Sequence, residues 1–344
     1  MSAVRLIVDY DAAVAALLGE IEATGEGDRI ALSVYIIEPG DSSQQVLAAL
    51  AAAAERGVEV AISVDATASS KLSRLWERTR TLLPEARRLA REFPERVTAR
   101  GRREPDHSKY ALFHRRQAPP TALLGGVNLG DRFRPWRDFM VRVAGAGLVA
   151  DLEARLDGQG EAPGVPLDDG AVAFAVNVPR AKRFEIRGVL DALAADPRFV
   201  RYQVAMAYLD RTGAEVLRTM LGRGARVELV MPSRANVYQH ANMRALGEVL
   251  ARAPALEATL HPAMLHAKAL VAWDDQGRRT AFVGSANLKR NSFRMLGELN
   301  AVVCDPAFTA DLSAAIAALA AGGTPLREPP PYSRAMAAVE ERLG

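Results

Sequence analysis

This chain repeats itself, and the repeat limits its possible folds more than any other property it has. A His-Ser-Lys triplet (His107, Ser108, Lys109) is followed by Gly-Gly-Val-Asn (Gly125 to Asn128), and a His-Ala-Lys triplet (His266, Ala267, Lys268) is followed by Gly-Ser-Ala-Asn (Gly284 to Asn287). The spacing from histidine to glycine is identical in the two copies, His107 to Gly125 and His266 to Gly284, and so is the spacing from histidine to asparagine, His107 to Asn128 and His266 to Asn287. A carboxylate follows in each, Asp138 in the first copy and Glu298, a single position later in register, in the second. The period from His107 to His266 is far longer than a solenoid unit and has the size of a domain, so a duplicated domain accounts for it.

The hydrophobic pattern agrees. RGVEVAISVD (56 to 65) and RGARVELVMP (223 to 232) each follow an Ala/Leu-rich helical stretch and enter an apolar run rich in β-branched residues. For the first half the pattern predicts a strand at 30 to 37, a helix at 42 to 56, a strand at 58 to 64, a helical insert at 72 to 93, and strands at 109 to 114, 121 to 125 and 139 to 143. For the second it predicts strands at 171 to 177, 199 to 206, 226 to 231, 268 to 273, 280 to 284 and 299 to 304. Helices are expected at 183 to 195, 213 to 223, 237 to 252 and 307 to 321. Helices alternating with strands apolar on both faces indicate α/β layers. The expected division is a first half at 1 to 156, a Gly- and Pro-rich linker at 157 to 170, a second half at 171 to 321, and a Pro-rich tail at 322 to 344 that straps the surface and ends in a short helix.

With 49% hydrophobic and 25% charged residues the chain can bury a core without staples, and its net charge of +3 says little about anionic partners. The single cysteine, Cys304, sits in an apolar run and reads as a buried thiol in a reducing compartment. No secretory leader and no stretch of roughly 20 apolar residues is apparent, so a cytoplasmic protein with at most peripheral membrane contact is expected. His240 and His261 have no partner pattern and no Cys/His/Asp cluster has ligand spacing, so neither metal nor cofactor is expected. Residues 74 to 103 hold ten Arg against four Glu, with apolar residues from Trp76 to Phe93 at helical spacing, interrupted by Pro84. Such a basic amphipathic helix either packs its stripe into the core or meets an anionic bilayer with Arg87, Arg88 and Arg91.

Only five histidines and five lysines are present, so two His-x-Lys triplets at equivalent positions form a specific signal. Residues i and i+2 of an extended chain share a face, which would turn His107 with Lys109, and His266 with Lys268, into one cleft. That set suits a phosphodiester: one imidazole attacks phosphorus, the other protonates the departing alkoxide, and cations neutralise the phosphoryl oxygens. Asn128, Asn287 and Ser285, in Gly-containing turns, are candidate donors to the non-bridging oxygens. Asp138 and Glu298 are candidates to orient the imidazoles, and the spacing leaves open whether each serves its own half or the other.

The paired triplets with GGVN and GSAN resemble the HxK and GxxN motifs of the phospholipase D superfamily over residues 28 to 320. The flanking text is most similar to bacterial cardiolipin synthases: YIIEPGDSSQQVLAALAAAAERGVEVAISVDA, GGVNLGDRFRPWRD, LHAKALV and GSANLKRNSF. The resemblance implies a duplicated fold of two α/β/α sandwich halves related by a pseudo-twofold, with the active site between them. It implies His107 as nucleophile forming a phosphohistidine, His266 as general acid and then base, and no metal. A phospholipid would be the substrate and an alcohol or water the acceptor, with one chain sufficient for the site. One departure stands out: the family motif ends in Asp seven residues after His, where this chain has His114 and Trp273, with Asp274 one position late. A nuclease using the same chemistry, or a phosphate-binding member that has lost turnover, are the alternatives. Few aromatic residues (6%) speak against a platform for single-stranded nucleic acid.

Overall fold

The computed structural model of the chain describes residues 3 to 65, 81 to 165 and 168 to 343. The first of its two sheets takes strands β1 (Val4–Val8), β2 (Arg29–Val34), β3 (Glu59–Asp65), β4 (Val97–Arg102), β5 (Tyr110–His114), β6 (Thr121–Gly125) and β7 (Phe139–Ala144), in the order β1-β7-β6-β5-β2-β3-β4. The second takes β8 (Val172–Val178), β9 (Arg183–Phe184), β10 (Phe199–Met206), β11 (Arg226–Pro232), β12 (Glu257–His261), β13 (Lys268–Asp274), β14 (Arg279–Gly284), β15 (Glu298–Val303) and β16 (Thr324–Leu326). Its order, β16-β12-β11-β10-β13-β14-β15-β8-β9, is the first order reversed once the edge strands β9 and β16 are set aside. Each strand of the first sheet thus has a counterpart in the second, and the duplicated α/β fold begins at Val4.

Strand β1 and helix Tyr10–Glu22 have counterparts in β8 and helix Ile186–Ala195, yet the local pattern assigned neither β1 nor that first helix. β1 is five residues long and is defined by antiparallel pairing to β7, Val4↔Val143 through Val8↔Phe139, which no local pattern encodes. Strands β2, β3 and β4 run parallel, so a crossover is needed between each pair. Helix Asp41–Glu55 supplies the first and helix Leu83–Glu92 lies in the second. The facing rows Ile30↔Val60, Leu32↔Ile62 and Val34↔Val64 are buried beneath Val14, Leu17, Val46 and Leu50.

The basic insert resolves differently from its pattern. Residues 72 to 80 lie outside the described ones, and the helix runs from Leu83 to Glu92 with Pro84 in its first turn, where a missing N–H costs nothing. Pro84 therefore starts this helix and does not interrupt it. Leu82, Leu83, Ala86 and Leu89 are buried in the core of the first half, whereas Arg87, Arg88 and Arg91 are exposed.

A third apolar core joins the halves. It draws Ala122, Leu124, Val141 and Val143 from β6 and β7, and Ala281, Val283, Leu299 and Ala301 from β14 and β15. Helix Ala146–Leu156 packs against β8 and helix Pro306–Ala321 against β1, each on the opposite half's sheet. A fully buried Val or Leu stabilises by roughly 1.5–3 kcal/mol, so this core holds the two sheets in fixed register. The tail belongs to the second half: β16 pairs with β12 (Ala258↔Leu326), and helix Arg334–Leu343 buries Ala337 while Glu340 accepts from the Ala241 amide at 2.8 Å. Among the described residues no helix is long and apolar enough to cross a membrane.

Candidate active site

Each His-x-Lys triplet lies in the extended stretch that enters a central strand, His107 to Lys109 leading into β5 and His266 into β13. The backbone of each triplet is held by the other half. The His107 amide donates to the Gly297 carbonyl at 2.8 Å and the His266 amide to the Arg137 carbonyl at 2.7 Å. Gly297 precedes Glu298 and Arg137 precedes Asp138, so the same bridges carry each carboxylate across the interface. His107 Nδ1 lies 3.1 Å from Glu298 Oε2, and His266 Nδ1 lies 2.6 Å from Asp138 Oδ2. The alternative left open by spacing is thereby decided: each carboxylate serves the histidine of the opposite half.

The lysines share the histidines' side of the chain, as alternation requires. Lys109 Nζ donates to the His107 carbonyl at 2.7 Å. Lys268 Nζ donates to the His266 carbonyl and stands 2.8 Å from His266 Nδ1. The turn residues differ between halves. At Gly126 an added Cβ would sit 2.2 Å from Asp138 Oδ1, so the glycine makes room for the carboxylate. Its counterpart Ser285 donates to Glu298 Oε2 and accepts from the Leu299 amide at 3.0 Å. Ser285, expected as a phosphate donor, thus commits its only proton to Glu298 and acts by fixing that carboxylate. Asn128 and Asn287 are each 4% exposed, and their Oδ1 atoms have no partner among the described residues. Buried polar atoms seldom go unpaired, so each carboxamide oxygen is left for a donor that enters the cleft.

His107, His266, Asn128 and Asn287 line one cleft of about 270 Å³ between the halves. Tyr35 meets His107 edge-on at 4.8 Å between centroids, and Trp136 lies 5.0 Å from the His266 ring. Burial and the neighbouring Lys109 charge hold His107 below the usual imidazole range, and burial with Lys268 takes His266 down to about 3. Burial and Lys268 lower Lys109 to about 7, and burial lowers Lys268 to about 8. Burial alone would raise Asp138 and Glu298; Lys268 and His266 beside the first, and His107 and Lys109 beside the second, outweigh it and hold both below the ordinary range. Two neutral imidazoles, with two lysines and two carboxylates in contact with them, are what a phosphodiester monoanion would complete, because its charge raises the affinity of all four bases for protons.

The departures from the family motif fall elsewhere. His114, at the end of β5, lies 2.9 Å from Glu153, while Trp273 stacks under the Arg201 guanidinium at 4.8 Å. Asp274 pairs with Arg278 at 2.7 Å and shapes the turn after β13. Seven extended residues span roughly 23 Å, so these positions close the far ends of the strands and touch none of the His, Lys or Asn groups. Sequence reasoning missed other residues of the cleft, Lys289, Trp136, Tyr208 and Tyr238 among them. For Lys289 a signal existed: it follows GSAN by two positions in a chain with five lysines.

A family model described as "Cardiolipin synthase, PLD-like domain" matches residues 17–158 and 199–320. Cardiolipin synthase A of Pseudomonas entomophila (strain L48) is 25% identical over 332 residues, covering 89% of this chain and 66% of that protein. Cardiolipin synthase A of Pseudomonas fluorescens (strain SBW25) is 26% identical over 213 residues, covering 56% of this chain and 43% of that protein. The chain therefore spans less than two thirds of the length of these curated relatives. Among solved structures, phosphatidylserine synthase of Haemophilus influenzae Rd KW20 aligns with a TM-score of 0.71 at 13% identity, over 99% of this chain and 92% of that one. Polyphosphate kinase from Porphyromonas gingivalis aligns with a TM-score of 0.62 at 18% identity, over 99% of this chain and 52% of that one. These structures share the fold. With the family match extending through both halves, and the paired His and Asn residues of the two motifs lining one cleft, the chain belongs to the phospholipase D-like domain family of cardiolipin synthases.

Proposed function

We propose that the chain transfers phosphatidyl groups between alcohols, or to water, through a phosphohistidine on His107. The observation that carries this reading is the crossed pair of histidine–carboxylate contacts: with both Nδ1 atoms held by Glu298 and Asp138, both Nε2 atoms are left for the one cleft that the rings line. His107 Nε2 attacks phosphorus while the bond to the leaving alcohol breaks, and protonated His266 gives its Nε2 proton to the leaving oxygen. An incoming alcohol or water then returns a proton to His266, attacks phosphorus, and releases His107. Lys109, Lys268, Asn128 and Asn287 surround the non-bridging oxygens in both steps. The protonated state that His266 needs for the first step is supplied when the bound phosphodiester charge raises its pKa.

A glycerophospholipid substrate is supported by the family match and by the likeness to cardiolipin synthase A. Contact with an anionic bilayer through exposed Arg87, Arg88 and Arg91 is part of the same reading. Incubation with phosphatidylglycerol vesicles and deuterated glycerol, and separately with plasmid DNA, tests it by mass spectrometry and gel. Wild type should exchange or hydrolyse lipid and leave the plasmid intact. His107→Ala should lose turnover by ~10³-fold or more and form no phosphatidyl-protein adduct. A His107→Ala variant as active as wild type, or plasmid nicking without lipid turnover, would refute the proposal.

A further inference from the structure

We infer that Lys289 is a specificity-determining residue that admits neutral or anionic alcohols to the site and turns away cationic ones. The inference rests on the phosphatidyl-transfer reading, with His266 serving the alcohol that leaves and the alcohol that enters. Lys289 is 7% exposed and lines the cleft. Its Nζ lies 3.1 Å from the centroid of the Tyr238 ring and 5.9 Å from that of Tyr208. The two tyrosines meet edge to face at 5.5 Å, and Tyr208 in turn meets the His266 ring at 6.1 Å. Tyr208 also donates to Asn236, another residue of the same wall. The ammonium is therefore on the His266 side of the cleft, where the leaving and entering alcohols must lie.

Three properties make it a filter. Its charge has no carboxylate in direct contact: Lys289 forms no ion pair among the described residues, whereas Arg132 across the cleft is paired with Glu38 at 2.8 Å. It has no counterpart in the first half, where the equivalent residue is Gly130 and an added Cβ would come within 2.9 Å of Glu38 Cβ. The filter thus acts on one side of the phosphorus only. Most informatively, Lys289 occupies the aromatic face itself. Paired aromatic rings are the usual receptor for an alkylammonium ligand, and here the protein's own ammonium fills that place. A choline or ethanolamine group meets a filled ring face and a like charge, while a polyol hydroxyl or a phosphate oxygen meets a hydrogen-bond donor. Specificity of this kind comes from the repulsive element as much as from the attractive one.

The test keeps the lipid surface constant. The whole chain is incubated with phosphatidylglycerol vesicles and equal concentrations of deuterated glycerol and choline, then of glycerol 3-phosphate and choline, and the transfer products are read by mass spectrometry, the label separating new phosphatidylglycerol from the donor. Wild type should favour glycerol and glycerol 3-phosphate, and Lys289→Met and Lys289→Gln, each verified as folded by thermal melting, should raise the choline product relative to glycerol by about tenfold. Unchanged product ratios in both variants, with total lipid turnover still measurable, would overturn the assignment of Lys289 alone. Wild type that turns over no vesicle lipid would overturn the phosphatidyl-transfer reading together with it.

Discussion

Crossing the carboxylates between halves makes each imidazole of the cleft depend on a residue far away in the chain, 191 positions for His107 and Glu298 and 128 for His266 and Asp138. The physical role is tautomer control: an Nδ1–H bonded to a carboxylate keeps the Nε2 lone pair, or its proton, in the cleft. Asp138→Asn and Glu298→Gln keep the shape but offer the imidazole an amide, which can bond it in the wrong tautomer. Turnover should fall by ~10²–10⁴ in each, with thermal melting close to wild type. A loss below threefold in either variant would mean that the carboxylate holds structure only. The His, Lys and Asn of each set were legible from equal spacing, and the carboxylate from a spacing one position apart between the copies. Their partnership was not, because a carboxylate a few tens of positions after its histidine can contact it within one half or reach across to the other. The partner of Ser285 was illegible for the same reason: a hydroxyl in a turn after a strand can point into the cleft or to Glu298, and the packing of β15 against β14 brings Glu298 within reach.

Among the elements, the loop that carries Asn287 and Lys289 is set by the N-terminus of helix Arg211–Gly222. The Asp210 amide donates to the Leu288 carbonyl at 3.1 Å, and the Asp210 carboxylate accepts from Arg290 N at 2.7 Å and from Gly213 N at 2.9 Å. Gly213 allows this approach, since a Cβ there would lie 1.8 Å from the Leu288 carbonyl oxygen. Gly213→Ala should therefore destabilise by ~1–3 kcal/mol and lower activity by displacing Asn287. Gly188→Ala, in exposed helix with nothing within 4 Å of the added Cβ, should instead stabilise by ~0.4–1 kcal/mol. Urea denaturation of the two variants checks the contrast, and equal midpoints would contradict it. Strands with continuous apolar runs, such as β3, β11 and β13, were legible in the sequence. β4 (VTARGR) and β12 (EATLH) were not, because their polar residues break the run and their strand character comes from pairing alongside β3 and β11.

For the molecule as a whole, burying the site between halves links it to stability. His266 is held at about 3 against an ordinary 6.5, so as pH falls through 6.5 the unfolded chain takes up a proton that the folded one refuses. Folding stability is lost from that point down to about pH 3, and Asp138 and Glu298, also lowered, add to the loss in the lower part of that window. The unfolding free energy from urea titration should fall between pH 6.5 and 4.5 by an amount on the order of 2 kcal/mol, lowering the midpoint with it, and His266→Gln should flatten that dependence. A midpoint constant over this range would show that the site is more open to water than the packing indicates. The duplication, the two His-x-Lys and Gly-x-x-Asn sets, the α/β layers and the family resemblance were all readable along the chain, because strand and helix periods and motif spacings are local properties. Packing settled which carboxylate serves which histidine, that Ser285 belongs to Glu298, that the stripe on Leu83–Glu92 faces the core, and that Lys289 stands over Tyr238 beside His266. Those contacts join segments distant in the chain, which meet only once the two sheets close on the apolar core they share.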